Sequence, residues 1–143
     1  MILKYIDFIN EEKEEIDFYK LNFKVYHFNY GYDFTFLYKD EEIGYCEIYY
    51  NNTLYYEDTL FELGLNKRDY KKDYYYLHSI GLNKKYKGFG IGKYLLNKIM
   101  SDYNIKGIYL YALKDHPFWC KVGKKIIPTK KVVSPYCIFI YKP

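Results

Sequence analysis

Arginine is nearly absent from this 143-residue chain: Arg68 stands alone beside 21 lysines. Lysine, asparagine, isoleucine and tyrosine share A/T-rich codons. That bias accounts for the 22 tyrosines, which are therefore not read as stacking platforms for nucleic acid. Cysteine is scarce too. Cys46, Cys120 and Cys137 are odd in number, and their spacing fits neither a zinc site nor a disulfide framework. They are expected to be buried thiols. Internal repeats, low-complexity tracts and Pro/Ser-rich linkers are all missing, so residues 1–143 are expected to form a single domain. A domain of this length buries enough surface to need no covalent staple. No apolar run approaches the roughly 20 residues that span a bilayer, so no membrane partner is expected. Met1 to Asn10 lacks a charged segment followed by a clean apolar core, so no signal peptide is expected and the location is expected to be cytoplasmic.

Charge is divided unevenly. Residues 1–73 carry nine basic and 16 acidic side chains, a net of −7; residues 74–143 carry 13 lysines against Asp102 and Asp115, a net of +11. This asymmetry suits an anionic ligand on the C-terminal half, although a solvated lysine-rich face has the same composition.

Met1 to Ile9 fits a first strand. Asn10 then precedes Glu11-Glu12-Lys13-Glu14-Glu15, an N-cap and acidic first turn for a short helix ending near Tyr19. Strands are expected over 23–28, 33–38 and 43–50, the last two joined by a loop at Lys39-Asp40-Glu41-Glu42. Residues 51–72 are ambiguous, with a helical turn at 58–65. The second half is firmer: a strand over 74–82, a basic glycine-bearing turn over 84–90, and a helix over 92–103 with Leu95, Leu96, Ile99, Met100 and Tyr103 on its apolar side. A strand over 107–113 follows, then a short helix capped by Asp115 with Pro117 in its first turn, ending near Gly123. Closing strands are expected over 125–129 and 136–141. Strands alternating with helices place the fold in the mixed α/β class.

The strand-turn-helix over 74–103 carries the chemistry. Glycines at 88, 90 and 92 lie directly before the helix. A helix N-terminus presents unpaired N–H groups and partial positive charge, which suits phosphate. Glycine admits unusual φ and removes the Cβ that would hold phosphate off the backbone. Lys87 and Lys93 add charge beside the turn. A dinucleotide fingerprint would need glycine at Lys93 or Leu95, and a Walker loop would need glycine at Lys87, so both fail.

The segment Lys87-Gly88-Phe89-Gly90-Ile91-Gly92 resembles the (Arg/Gln)-x-x-Gly-x-(Gly/Ala) pyrophosphate loop of the GNAT superfamily of acyl-CoA N-acyltransferases, with lysine in the first place. Pro117-Phe118-Trp119-Cys120-Lys121-Val122-Gly123 resembles that family's later helix, usually written Phe-Tyr-x-Lys-Leu-Gly-Phe. The resemblance covers about residues 74–127. It implies one GNAT-like domain with a mixed, mostly antiparallel sheet flanked by helices, in which the strand 74–82 splays from its neighbour to form a cleft for coenzyme A. It implies acetyl-CoA as donor, an amine as acceptor and no metal. Backbone groups of Ile80, Gly81 and Leu82 would meet the pantetheine arm. Those of Lys87, Gly88, Phe89, Gly90, Ile91, Gly92 and Lys93 would hold the pyrophosphate.

A lysine-like amine has a pKa of about 10.4, so only about one molecule in 2,500 is free base at pH 7. A general base is therefore useful, whereas a thiol leaves more readily. Many family members carry a glutamate on the strand before the loop, but the matching position here is Tyr76. His78 resembles a histidine found there in arylalkylamine-type members, and strand alternation puts it on the face of Tyr76 and Ile80. Glu47 is the alternative base. The family's general-acid tyrosine aligns with Trp119, whose indole cannot serve. Either Cys120 or a nearby tyrosine substitutes, or the thiolate leaves unassisted, or the protein binds coenzyme A without turnover. An N-acetyltransferase is thus set against a catalytically weak CoA-binding module. A nucleic-acid-binding domain ranks last, for want of any motif. The acceptor is not legible, and a homodimer is left open.

Overall fold

The computed structural model describes residues 15–50, 73–126 and 135–143. The strand expected over 1–9, the start of the first helix and the ambiguous stretch 51–72 lie outside the described residues, as does most of the strand expected over 125–129.

Seven strands form one sheet: β1 (Leu21–Phe28), β2 (Gly31–Tyr38), β3 (Glu41–Tyr49), β4 (Tyr75–Leu82), β5 (Ile108–Leu113), β6 (Lys124–Lys125) and β7 (Tyr136–Tyr141). Their spatial order is β1-β2-β3-β4-β5-β7-β6. Every neighbouring pair is antiparallel except β4 and β5. A parallel pair requires a crossover, and helix α1 (Ile91–Asp102) supplies it. The short helix α2 (Pro117–Val122) follows β5.

Boundaries shift where local chemistry outweighs pattern. The loop expected over 39–42 shrinks to Lys39-Asp40, because Glu41 and Glu42 pair with Tyr38 and Leu37 across the hairpin. Both loop residues have positive φ, 50° and 66°, the turn geometry that matches strand twist in a two-residue hairpin. Immediately before β1, Phe18–Lys20 forms one 3-10 turn, capped by Asp17, whose Oδ1 accepts from the Tyr19 N–H at 3.1 Å. The cap of α2 is His116 rather than Asp115: its Nδ1 accepts from the Trp119 N–H at 3.4 Å, and Pro117 opens the helix as expected.

The apolar stripe of α1 is as the periodicity predicts, with Ile91, Leu95, Leu96, Ile99 and Met100 buried. They pack with Phe34, Phe36, Ile43, Cys46, Ile48 and Leu77 on one face of the sheet. Tyr103, placed on that stripe by the pattern, is only partly buried and caps the helix C-terminus. A smaller cluster of Tyr74, Tyr76, Tyr109, Ile126 and Ile138 forms separately, with Tyr49 and Ile140 against it. Among the described tyrosines, Tyr38, Tyr74, Tyr76, Tyr109 and Tyr141 are buried, whereas Tyr19, Tyr26, Tyr30, Tyr45, Tyr94, Tyr111 and Tyr136 are exposed. No described helix is long and apolar enough to cross a membrane.

Candidate coenzyme A cleft and catalytic face

β4 and β5 are joined for three positions, Tyr75 with Ile108, Tyr76 with Tyr109 and Leu77 with Leu110, and no further. Each strand continues along its outer neighbour. β4 stays paired with β3 as far as Leu82 opposite Gly44, and β5 stays paired with β7 to Leu113 opposite Tyr136. The two central strands therefore part like a wedge while both outer edges remain held. Ile80, Gly81 and Leu82 lie on the open stretch, half-buried. Backbone groups here face no β5 partner, so an extended, amide-bearing ligand can take that place.

A 3-10 turn, Lys84–Tyr86, leads from the mouth of the wedge to the glycines. Gly88 and Gly90 have φ of 88° and 78°, a region that costs a residue with a Cβ about 1–2 kcal/mol. A Cβ at either would meet no atom of the described residues within 4 Å. Backbone conformation, not crowding inside the protein, requires glycine there, and the space above both is open. Gly92 differs. It is helical, and a Cβ would make an ordinary 3.6 Å contact with Leu82 Cδ1.

Gly90 is the N-cap of α1, and no side chain caps it. The first helical bond runs from the Tyr94 N–H to the Gly90 carbonyl at 3.0 Å. The N–H groups of Ile91, Gly92 and Lys93 thus precede the intrahelical ladder. The first turn contains no acidic residue, and Lys84, Lys85, Lys87 and Lys93 are exposed around it. Open space, uncapped donors and positive charge together fit a diphosphate. Phe89 projects from the turn, partly exposed.

The second part of the site is made by a β-bulge. Opposite β3, Ile48 pairs with Leu77 and Glu47 with Ser79, so His78 is an extra residue in β4. The alternation expected for this strand breaks here. Tyr76 and His78 share a face as expected, but Ile80 does not join them: it pairs with Cys46 and packs in the α1-side core. His78 and Ser79, consecutive in sequence, both reach the face of Glu47 and Tyr49. The His78 ring stacks on Tyr49, with centroids 4.8 Å apart and planes 14° apart, and it meets Tyr76 edge-on at 6.2 Å. Glu47 accepts a hydrogen bond on each oxygen, from Tyr49 Oη and from Ser79 Oγ, both at 2.9 Å. Burial, and then the bond to Glu47, push the Tyr49 hydroxyl up to about 12, so it remains a donor at any working pH. Asp33 sits directly opposite Glu47 on β2. Desolvation first and the negative Glu47 second raise its carboxyl, with His78 partly offsetting them.

Both proposed bases, His78 and Glu47, are therefore brought to one face. Sequence reasoning missed Tyr49, Ser79 and Asp33. Their involvement depends on strand register, and no local pattern announces it.

Trp119 is 4% exposed and packs edge-on against Tyr141 at 5.9 Å and Phe118 at 4.7 Å. The Tyr141 hydroxyl in turn donates to Asn97 on α1. Trp119 is thus a packing anchor that ties α2 to the sheet. Its neighbour Cys120 is exposed, contrary to the expectation of a buried thiol, and its Sγ donates to the Lys114 carbonyl at 3.1 Å. Cys46 and Cys137 are buried as expected, and burial raises both thiols. No cluster suited to a metal ion occurs among the described residues.

Comparison with known proteins gives this geometry a context. The family model described as "Acetyltransferase (GNAT) family" matches residues 3–119. Among solved structures, an acetyltransferase of the GNAT family from Listeria monocytogenes aligns with a TM-score of 0.54 at 17% identity, covering 78% of this chain and 64% of that one. A Bacillus anthracis protein solved in complex with acetyl coenzyme A aligns with a TM-score of 0.51 at 17% identity, over 90% of this chain and 67% of that one. An acetyltransferase from Thermus thermophilus aligns at 0.52 with 11% identity, over 78% and 63%. These likenesses are of fold. Among curated proteins, the "Probable serine/threonine-protein kinase" of Dictyostelium discoideum is 30% identical over 74 residues, which are 49% of this chain. The chain spans only 8% of that protein's length. With the family model matching most of its length, the chain belongs to the acetyltransferase (GNAT) family.

Proposed function

We propose that this protein transfers an acetyl group from acetyl-CoA to a primary amine of a small molecule or protein, with His78 as general base. The parting of β4 from β5 directly beside the uncapped start of α1 is the observation that carries this reading. It offers a slot for the pantetheine arm along Ile80 to Leu82 and, at its mouth, backbone donors from Gly88 to Lys93 for the pyrophosphate. Bound acetyl-CoA supplies an activated thioester. The amine nitrogen forms the new C–N bond as the C–S bond breaks, the amine's proton passes to His78, and coenzyme A departs as the thiolate, which then takes its proton from solvent. His78 stands on the exposed face at the bulge, where its imidazole is open to an incoming amine. Glu47 is the weaker choice, since donors already occupy both its oxygens.

One observation favours a second reading. The position of the family's acid is held by a buried indole, and the adjacent Cys120 thiol is already donating to a carbonyl. A CoA-binding module with little turnover would look like this. Thiol release measured with acetyl-CoA and a panel of amines separates the two. The first reading expects turnover well above the enzyme-free rate. Tight CoA binding with no release on any amine would replace it with the second. A cytoplasmic location belongs to the same proposal, and gel filtration reads the oligomeric state, which the sequence leaves open.

A further inference from the structure

His78 is the extra residue of the bulge in β4, and its side chain is exposed. An exposed imidazole turns freely about its χ2 axis unless a neighbour holds it. A base must present one nitrogen within hydrogen-bond reach of the proton it takes, so ring orientation matters. Tyr49 lies nearly parallel to the imidazole, 14° between planes and 4.8 Å between centroids. The tyrosine is itself restrained: its hydroxyl donates to Glu47 Oε2, while Ser79 Oγ holds Glu47 Oε1. Ser79 follows His78 directly and pairs with Glu47 across the bulge. The contacts thus form a closed circuit from Ser79 to Glu47 to Tyr49 and back to His78.

We propose that Tyr49 is a positioning residue, anchored through its hydroxyl to Glu47, whose ring fixes the plane of the His78 imidazole for proton transfer. The inference rests on His78 being the base. It gives Glu47 a different task from the one first considered: holding Tyr49 rather than taking the proton. The half-buried hydroxyl stays protonated, so the anchor persists across the pH range in which an imidazole titrates.

A double-mutant cycle in the intact protein tests this. Tyr49→Leu removes ring and hydroxyl and is expected to lower kcat about 10- to 100-fold, the scale of a misplaced catalytic group. The KM for acetyl-CoA should stay as it was. Tyr49→Phe keeps the ring and loses only the anchor, so its loss should be smaller. In a His78→Ala background, Tyr49→Leu should cost nothing more, because there is no imidazole left to hold. Equal losses in both backgrounds, or no loss in either, would overturn the proposal. Should Tyr49→Leu fold poorly, Tyr49→Ile, whose β-branched side chain suits a strand, removes the ring in its place.

Proton NMR gives a readout that needs no turnover. The chain has only three histidines, and His78→Ala identifies the signals of residue 78. Those signals should shift downfield in Tyr49→Leu as the shielding ring is lost; unmoved signals would refute the stacking role. Absence of turnover with every amine would overturn the proposed function alone, leaving the NMR result to decide whether Tyr49 holds the ring.

Discussion

The glycine turn and the bulge face solve different problems with different materials. The turn, from Lys87 to Lys93, is nearly all main chain: two glycines at positive φ, an uncapped helix start and open space above them. The bulge face is nearly all side chain: Asp33, Glu47, Tyr49, His78 and Ser79, gathered from three strands. A backbone device tolerates almost any neighbours but not a Cβ in the wrong conformation. A side-chain device tolerates backbone variation but fails when one partner goes. Substitutions in the turn should therefore act on cofactor affinity, and substitutions on the face should act on the chemical step.

The largest expected effect is on the face. His78→Ala should lower kcat by about 10²–10⁴, the usual contribution of a general base. The dissociation constant for coenzyme A, measured by calorimetry, should stay within about threefold of wild type, since on the differential-binding argument a group used only in the chemical step leaves ground-state affinity alone. Loss of CoA affinity in this variant would erase the distinction between the two regions. Next comes the turn. Gly90→Val forces a β-branched residue to φ of 78°, where such residues are outliers. CoA affinity should fall about 100-fold, equivalent to roughly 2.7 kcal/mol, and kcat at saturating acetyl-CoA should change far less.

A smaller effect separates electrostatics from catalysis. The Asp33 carboxyl is raised by desolvation and by Glu47 opposite. A raised carboxyl means that the charged form is disfavoured in the folded state. Its charge therefore costs stability above its folded pKa, and the cost disappears as pH falls and the group is protonated. Asp33→Asn should accordingly raise the melting temperature at pH 7, and the gain should vanish through the carboxylate range, below about pH 4. Asp33 is solvent-exposed, so the gain is expected to be under about 0.5 kcal/mol. A variant less stable at pH 7 than at pH 4, relative to wild type, would reverse the sign and show that Asp33 is held by a cation.

The contrast also explains what the sequence disclosed. The turn was legible because its parts are contiguous: glycines, flanking lysines and the helix stripe of Leu95, Leu96, Ile99 and Met100 fall within about 15 residues and obey local rules. The fold class followed, and the parting of β4 from β5 agrees with what the family resemblance implied. The face was legible only in its members His78 and Glu47. Its arrangement is set by one register step, Ile48 with Leu77 but Glu47 with Ser79, and a single extra residue reverses every later side chain. That step moved Ile80 to the opposite face from the one alternation predicts. It also paired Ser79 with a glutamate 32 positions away. The exposure of Cys120 was hidden for a similar reason: a six-residue helix has too few turns to reveal its buried side.

The smallest effect is the most discriminating, and it concerns Gly92. Unlike Gly88 and Gly90, this residue is helical, and among the described residues its Cβ would meet only Leu82 Cδ1 at 3.6 Å. The protein itself therefore has no need of glycine there. Replacing glycine by alanine within a helix gains up to about 1 kcal/mol, and less near its first turn, so Gly92→Ala should melt at the same temperature as wild type or slightly higher. The pyrophosphate loop that this segment resembles admits alanine as well as glycine at this place, and the added methyl points to Leu82. CoA affinity should then stay within about twofold of wild type, or roughly 0.4 kcal/mol, in a protein that is no less stable. A loss of affinity without a loss of stability cannot come from a damaged fold. A loss of about tenfold in so stable a protein would put the phosphate oxygens against residue 92 itself and separate this loop from the pattern it resembles.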